Sequence, residues 1–268
     1  MKKCLLIDKM LSEEWACNEK EALAMVMTGK VLVDDYPANS IKEKISVGSV
    51  IRIKGKSNKS RYITRAGRKL EKGLSFFPVS AEGMICADIG AAEGGFTDCL
   101  LKYGAEKVYA VDVAYGILDW SLRNNEKVVV LERTNARYLS DELIPDKVNL
   151  LTSDVSFISL RKILPAAINI MSKDGIFIVL YKPQFELKRE QTGKNGNVEN
   201  NDFIAENMTA LISFLNDKGI FVRDLTFSPV RGSHGNIEYL LYGDLDESNG
   251  NIVTLARIVQ VMTDVSFS

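Results

Sequence analysis

From about residue 84 onward, short apolar runs alternate with segments of helical spacing, and this alternation limits what the chain can fold into more than any other feature. The runs at 84–89, 107–113, 128–132, 148–154, 175–181, 220–227 and 236–243 predict strands. The segments near 67–77, 96–103, 115–123, 159–171 and 202–217 predict helices. Strands and helices in this order predict an α/β fold, a Rossmann-like, doubly wound and largely parallel sheet. Residues 188–201 are polar, contain Gly193 and Gly196, and are expected to form a mobile loop after the fifth strand. The end of the chain, 249–268, has apolar residues at helical spacing (Ile252, Leu255, Ile258, Val259, Met262) to which no function attaches.

The first part reads differently. Leu5, Leu6, Met10 and Leu11 recur at helical spacing, as do Ala22, Leu23, Val26 and Met27, with Gly29 ending the second helix. Val31-Leu32-Val33 runs into the turn Asp34-Asp35-Tyr36-Pro37, and 49–53 closes the segment as a strand. The expected organisation is a small α+β domain at 1–56, a linker at 57–62 and a large domain at 63–268.

Charge follows the same division. Residues 1–72 hold 16 Lys and Arg against 9 Asp and Glu, whereas 73–268 hold 18 against 26. Nine of the basic residues fall within 51–72, opposed by Glu71 alone. A basic end on an acidic body suits a polyanionic partner, although a solvated linker would have the same composition. The four cysteines, Cys4, Cys17, Cys86 and Cys99, are scattered, which argues against zinc and against a disulfide framework. Asp8 and Lys9 cut short the apolar start, and no apolar run approaches the roughly 18 residues of a membrane span. A cytoplasmic protein without a membrane partner is expected.

Two groups of residues carry chemistry. Between Ile85 and Phe96 a strand, a glycine turn and a helix start follow one another, with Gly90 and Gly94 spaced Gly-x-x-x-Gly and Asp88 just ahead. A carboxylate there can meet a ligand amine and would repel a diphosphate. Asp112 ends the next strand, 22 positions after Gly90, where such folds grip ribose hydroxyls. Asn135, after the third strand, could offer an amide to an adenine edge. An amine-bearing nucleoside without phosphates fits this set, and S-adenosylmethionine is the expected cofactor. Beyond it, Asp154 and Lys182 close the fourth and fifth strands, where open α/β sheets place their sites. A lysine ending an apolar strand needs a carboxylate partner, and Asp154 is the natural one. Glu238, inside the apolar run Ile237-Glu238-Tyr239, also needs compensation.

These residues bring a resemblance with them. The run Asp88-Ile-Gly to Gly-Gly-Phe-Thr-Asp98, then Tyr109 to Val113, Leu131 to Arg137, Asp154 to Leu160, Lys182 to Glu186 and Gly235-Asn-Ile-Glu238 is similar to the TlyA-type proteins. These are rRNA 2′-O-methyltransferases, often labelled hemolysin A, with an FtsJ-like catalytic domain. The resemblance implies an S-four-like RNA-binding module at 1–56 and a catalytic tetrad of Lys69, Asp154, Lys182 and Glu238. It implies methyl transfer to a cytidine 2′-oxygen of ribosomal RNA without a metal. Lys182, beside the second positive charge of Lys69, would take the hydroxyl proton while Asp154 orients it. Cofactor contacts are expected from Asp88, Gly90, Ala91, Glu93, Gly94, Gly95, Phe96, Asp112, Val113, Asn135 and Asp154. RNA contacts are expected from Lys20, Lys30, Arg52, Lys54, Lys56, Arg61, Arg65 and Arg68, with ribosomal RNA or ribosomal subunits as partner.

The sequence departs from the family in three places. Asn18-Glu19 stands where the RNA-facing helix usually opens with Ser-Arg, and Thr64-Arg65-Ala66-Gly67 replaces Ser-Arg-Gly-Gly. His234 replaces a lysine and is either a plain surface residue or a loop residue near RNA. Removing residues 1–56 is expected to weaken RNA binding and flatten its dependence on salt, because phosphate contacts carry that dependence. Filter binding at several salt concentrations checks this, and an unchanged affinity and slope would show that the grip lies elsewhere.

Overall fold

The computed structural model describes residues 3–12, 15–16, 18–34, 36–46, 49, 51–54, 61–193, 196–232, 235–250 and 252–266. The chain divides into two compact units, Met1–Arg61 and Tyr62–Ser268. No helix among the described residues is long and apolar enough to cross a membrane.

The first unit opens with a strand that periodicity does not reveal. β1 (Lys3–Leu5) precedes α1 (Leu6–Ser12) and pairs antiparallel with β4 (Lys44–Ser46), so Leu5 belongs to a strand and not to the helix. α2 (Glu19–Met27) is capped by Asn18, whose side chain accepts from Glu21 N at 3.0 Å. Its buried face is Ala22, Met25 and Val26, while the expected core residues Leu23 and Met27 are exposed. The spacing i, i+3, i+4 holds, but the stripe is turned by one residue. Gly29 ends the helix at φ +63°. β2 (Val31–Val33) lies between β3 (Tyr36–Pro37) and β5 (Ile51–Ile53), antiparallel to both. Leu6, Met10, Val31, Ile41, Ile51 and Ile53 fill the core.

The second unit is built on a seven-stranded sheet. In chain order its strands are β6 (Ile85–Ile89), β7 (Lys107–Val111), β8 (Val128–Leu131), β9 (Val148–Ser153), β10 (Met171–Tyr181), β11 (Phe221–Phe227) and β12 (Tyr239–Asp244). Their order across the sheet is β11-β12-β10-β9-β6-β7-β8. β10, β9, β6, β7 and β8 run parallel, while β12 is antiparallel to both β10 and β11. The chain reverses its direction of winding between β6 and β9, and there the carboxyl ends of two neighbouring strands open a crevice.

Successive residues of the strands face opposite layers. Phe177, Val179, Leu151 and Leu241 join one core with α6 (Leu160–Ala167), α8 (Asn201–Asn216) and α9 (Leu255–Ser266). Ile178, Leu180, Leu150 and Leu240 join the other, with α3 (Ala66–Phe76) and α4 (Gly95–Lys102). The terminal helix α9 seats Ile258, Val261 and Met262 against α8 and β11, a packing role its periodicity alone did not assign.

Three boundaries depart from the sequence reading. The helix expected over 115–123 is only α5 (Trp120–Arg123), because Gly116 turns at φ +76° and Asp119 caps at Ser121 N, 2.8 Å. The expected helix 159–171 ends at Ala167 and tightens into a 3₁₀ turn, Ile168–Ile170, before β10 begins at Met171. Tyr62, placed by sequence in the linker, is buried in the core beside α3 and α4.

The approach of α3 to α4 positions the site. A methyl group on Gly67 would lie 2.8 Å from the Gly95 carbonyl oxygen and inside the van der Waals surface of the Tyr62 ring. One on Gly95 would collide with Thr64 Oγ1. Gly67→Ala is therefore expected to destabilise the fold by about 1–3 kcal/mol, the usual cost of overpacking. Urea unfolding checks this, and an unchanged midpoint would show that the two helices have room to spare.

Candidate active site

Four charged side chains converge at the crevice. Asp154 follows β9, Lys182 follows β10, Lys69 sits in the second turn of α3 and Glu238 precedes β12. Glu238 lies just outside the strand in which it was expected. Because β12 runs antiparallel to β10, with Tyr181 opposite Tyr239, its start lies beside the end of β10. Lys182 Nζ is 2.6 Å from Asp154 Oδ1, and Lys69 Nζ is 3.2 Å from Asp154 Oδ2 and 2.7 Å from Glu238 Oε2. The four side chains are between 2% and 13% exposed, so each charge depends on its neighbours. Two ammonium groups and two carboxylates alternate in a neutral chain, Glu238–Lys69–Asp154–Lys182.

Residues not singled out in the sequence reading complete the arrangement. Lys182 Nζ also donates to Ser156 Oγ at 2.9 Å and to the Asp154 carbonyl at 3.2 Å. Gln184 Nε2 donates to Glu238 Oε1 at 3.2 Å. Gly232 leaves no room for a side chain, since a Cβ there would collide with the Glu238 carboxylate. Arg231 lines the hollow in front of the tetrad, as does Arg65. Asn236 is buried, accepting from Val198 N at 2.8 Å and donating to the Gly196 carbonyl at 2.9 Å, and so ties the polar loop to the segment ahead of Glu238. Ser156, Gln184 and Asn236 stand within the motifs that carry the family resemblance; Arg231 has no such signal.

Two hollows adjoin at Gly90, Ala92, Asp154 and Ser156. The first holds the tetrad, with Ala91, Glu93, Gly95 and Phe96 along its wall. The second is lined by Asp112, Val113, Asn135, Val155 and Ile158 among others. Asp112 accepts from Ala92 N and Ala114 N, both at 2.8 Å, which aims its carboxylate at the glycine turn and leaves acceptor capacity for a ligand. Asn135 Oδ1 accepts from Arg137 N at 3.1 Å, so its NH₂ group is what it has left to offer. Two carboxylates and no Lys or Arg line this hollow among the described residues. Such a lining repels phosphates and favours an uncharged or cationic nucleoside.

Two residues expected at the cofactor have other surroundings. Asp88 is completely buried and lines neither hollow; it points to the α4 face of the sheet, where Thr97 Oγ1 donates to it at 2.7 Å. Gly94, at φ +99°, is pressed against Leu122 and Leu118, so it serves packing beneath the turn. Of the residues expected at RNA, Lys20, Lys30, Lys54, Arg61 and Arg65 are exposed and Arg68 is half-buried. Lys56, the Arg52 side chain, His234 and Cys17 lie outside the described residues. No group of three or more His, Cys, Asp or Glu side chains is placed to hold a metal ion among the described residues.

Burial pushes the Asp88 carboxyl up to about 7, with Asp154 and Asp112 adding to the rise and the Thr97 hydroxyl opposing it. The folded chain thus keeps a proton that the unfolded chain releases near the ordinary carboxylate value. The stabilisation this gives is present at low pH and is lost as pH rises through about 7. Asp88→Asn should therefore gain stability relative to the parent between pH 5 and pH 8 in urea unfolding. Parallel pH dependences in the two proteins would contradict the assigned burial.

Comparison with known proteins places this geometry. The FtsJ-like methyltransferase family matches residues 62–245. YqxC of Bacillus subtilis, provisionally named as an rRNA methyltransferase, is 42% identical over 239 residues, which is 89% of this chain and 83% of that protein. TlyA of Mycobacterium tuberculosis, named as a 16S/23S rRNA (cytidine-2′-O)-methyltransferase, is 38% identical over 227 residues, 85% of this chain and 84% of that protein. A solved structure described as a hemolysin of Streptococcus thermophilus has a TM-score of 0.74 at 36% identity, covering 100% of this chain and 98% of that one.

Proposed function

The chain belongs to the FtsJ-like methyltransferase family, and from that membership we propose that it methylates the 2′-hydroxyl of a ribose in ribosomal RNA. Cytidine is the expected nucleoside and S-adenosylmethionine the methyl donor. The observation that carries the reading is the four-residue chain of alternating charge set at the edge of a hollow lined by carboxylates and, among the described residues, by no Lys or Arg.

The donor, when bound, supplies a methyl group on positively charged sulfur. Asp112 suits its ribose diol, Asn135 its base, and Val113, Val155 and Ile158 the flat faces of that base. On the other side of Asp154, the tetrad handles the acceptor. A ribose hydroxyl is a poor nucleophile until its proton is drawn away. Lys182 Nζ, once it has released a proton to solvent, would accept the 2′-hydroxyl proton and so free the oxygen for the methyl group that the donor would supply. Asp154 and Ser156 hold that nitrogen in place. Lys69, fixed by Glu238, balances the charge on the second oxygen of Asp154. Aligning the oxygen with the methyl group contributes a large share of the rate, since orientation is worth effective molarities of about 10⁵–10⁸ M.

The first unit is assigned as the S-four-like RNA-binding module, with Lys20, Lys30 and Lys54 exposed for phosphate contact. Glu19, at the start of α2, weakens that grip relative to the usual arginine. Arg65 and Arg231, at the tetrad hollow, suit the phosphates that flank the target ribose. The proposed substrate places the protein with ribosomal subunits in the cytoplasm.

Labelled methyl groups should pass to rRNA in purified subunits from a strain lacking the gene, and nuclease mapping should find them on ribose 2′-oxygens. Lys182→Ala should abolish the transfer with cofactor affinity near that of the parent. Absence of label from rRNA despite measured cofactor binding would contradict the substrate, and full turnover by the variant would contradict the role of Lys182.

A further inference from the structure

The segment after β9, residues 154–159, carries Asp154 and Ser156. The turn after β10, residues 182–186, carries Lys182 and Gln184. The first of these has little main-chain support. Asp154 N donates to the Ile89 carbonyl at 3.2 Å, but no amide from Val155 to Ser159 donates to another main-chain carbonyl among the described residues. Phe157 sits in the left-handed region at φ +64°, an uncommon conformation for a residue other than glycine. Side chains therefore hold this loop, and they do so at two ends.

At one end are the contacts of Lys182 with Asp154 and Ser156. At the other is Glu186, the last residue of α7 (Pro183–Glu186), which the catalytic scheme leaves unused. Its carboxylate accepts from Ser159 Oγ at 2.6 Å and from Leu160 N at 2.7 Å. Ser159 is itself the N-cap of α6, accepting from Arg161 N at 3.1 Å. The Glu186 main chain is tied in turn to α8: Asn207 Nδ2 donates to its carbonyl at 3.1 Å, and Tyr181 OH donates to Asn207 Oδ1 at 2.9 Å. Between the two ends, the Phe157 and Phe185 rings lie 4.9 Å apart. Burial pushes the Glu186 carboxyl above its usual range while its two donors pull it down, as expected for a charge kept in a confined place by its hydrogen bonds.

We propose that Glu186 is a positioning residue for methyl transfer: it clasps the 154–160 segment to the turn after β10 and so keeps Lys182 and Asp154 at working distance. The inference rests on the reading given under Proposed function and extends it to a residue that touches neither substrate nor cofactor.

Three full-length variants test it. Glu186→Ala removes both bonds. Glu186→Gln preserves the clasp, with its amide oxygen accepting from Leu160 N and its NH₂ donating to Ser159 Oγ. Ser159→Asp keeps a capping acceptor for Arg161 N and removes the donor to Glu186. A misplacement of about 1 Å in such a site costs up to roughly 100-fold in rate. Glu186→Ala should accordingly lose at least about tenfold in kcat on rRNA, with KM and cofactor affinity within about threefold of the parent. Glu186→Gln should stay within about threefold of the parent in kcat. Hydrogen exchange should speed up at 154–162 in Glu186→Ala and stay unchanged at the glycine turn. A kcat for Glu186→Ala within about threefold of the parent, or a matching loss of cofactor affinity, overturns the proposal. Should that variant fail to fold, Ser159→Asp decides: slower turnover with faster exchange at 154–162 supports the clasp, and parent values for both overturn it. A parent chain inactive on rRNA would defeat the functional reading, while the exchange measurements would still decide whether the clasp exists.

Discussion

The two oxygens of Asp154 each hold an ammonium group, Lys182 at 2.6 Å and Lys69 at 3.2 Å, in a place almost closed to solvent. At an effective dielectric of about 20, each such contact is worth about 5 kcal/mol in Coulomb terms. Desolvation costs several kcal/mol per ion, so the arrangement stands only when every charge has its partner. Glu238 supplies the fourth, and without it Lys69 would bring an excess positive charge to the site. The alternation of sign makes the group a unit whose members cannot be valued one at a time.

The fold exists to deliver those four residues from distant points of the chain. Parallel β9 and β10 end side by side, which sets Asp154 next to Lys182. The antiparallel return of β12 brings Glu238 to the same edge, where a further parallel strand would have ended with its opposite terminus. α3 brings Lys69 from the other layer, and its position depends on two glycines, Gly67 and Gly95, that let the helices touch through their backbones. The reversal of winding between β6 and β9 puts the glycine turn against Asp154, and the hollow lined by Asp112 and Asn135 therefore opens onto the tetrad.

The parallel sheet, most of its strands and the residues of the tetrad were legible in the sequence, but for different reasons. The positions of the strands along the chain follow from alternation, and Asp154 and Lys182 follow from their places at strand ends. Lys69 stands 85 positions from Asp154, and only the family resemblance joins them, since the contact is made by helix packing that no local pattern shows. Asp88 was misplaced because adjacency to Gly90 says nothing about which face of the sheet a side chain takes. Ile89 faces one layer, so Asp88 must face the other, towards Thr97. In α2 a short helix with many apolar residues offers two stripes of similar quality, and the one with Met25 is buried while Leu23 and Met27 are exposed. The helix expected at 115–123 overlooked Gly116, whose left-handed conformation postpones the start to Asp119.

Single-turnover methyl transfer to rRNA by Asp154→Asn at saturating cofactor shows whether the shared carboxylate of Asp154 organises the chemistry. The substitution keeps the shape of the side chain and removes the charge that both lysines share. A fall of about 100-fold or more is predicted, within the range that positioned acid–base groups contribute. A rate within about threefold of the parent would contradict that role and leave the lysines to act without their common partner.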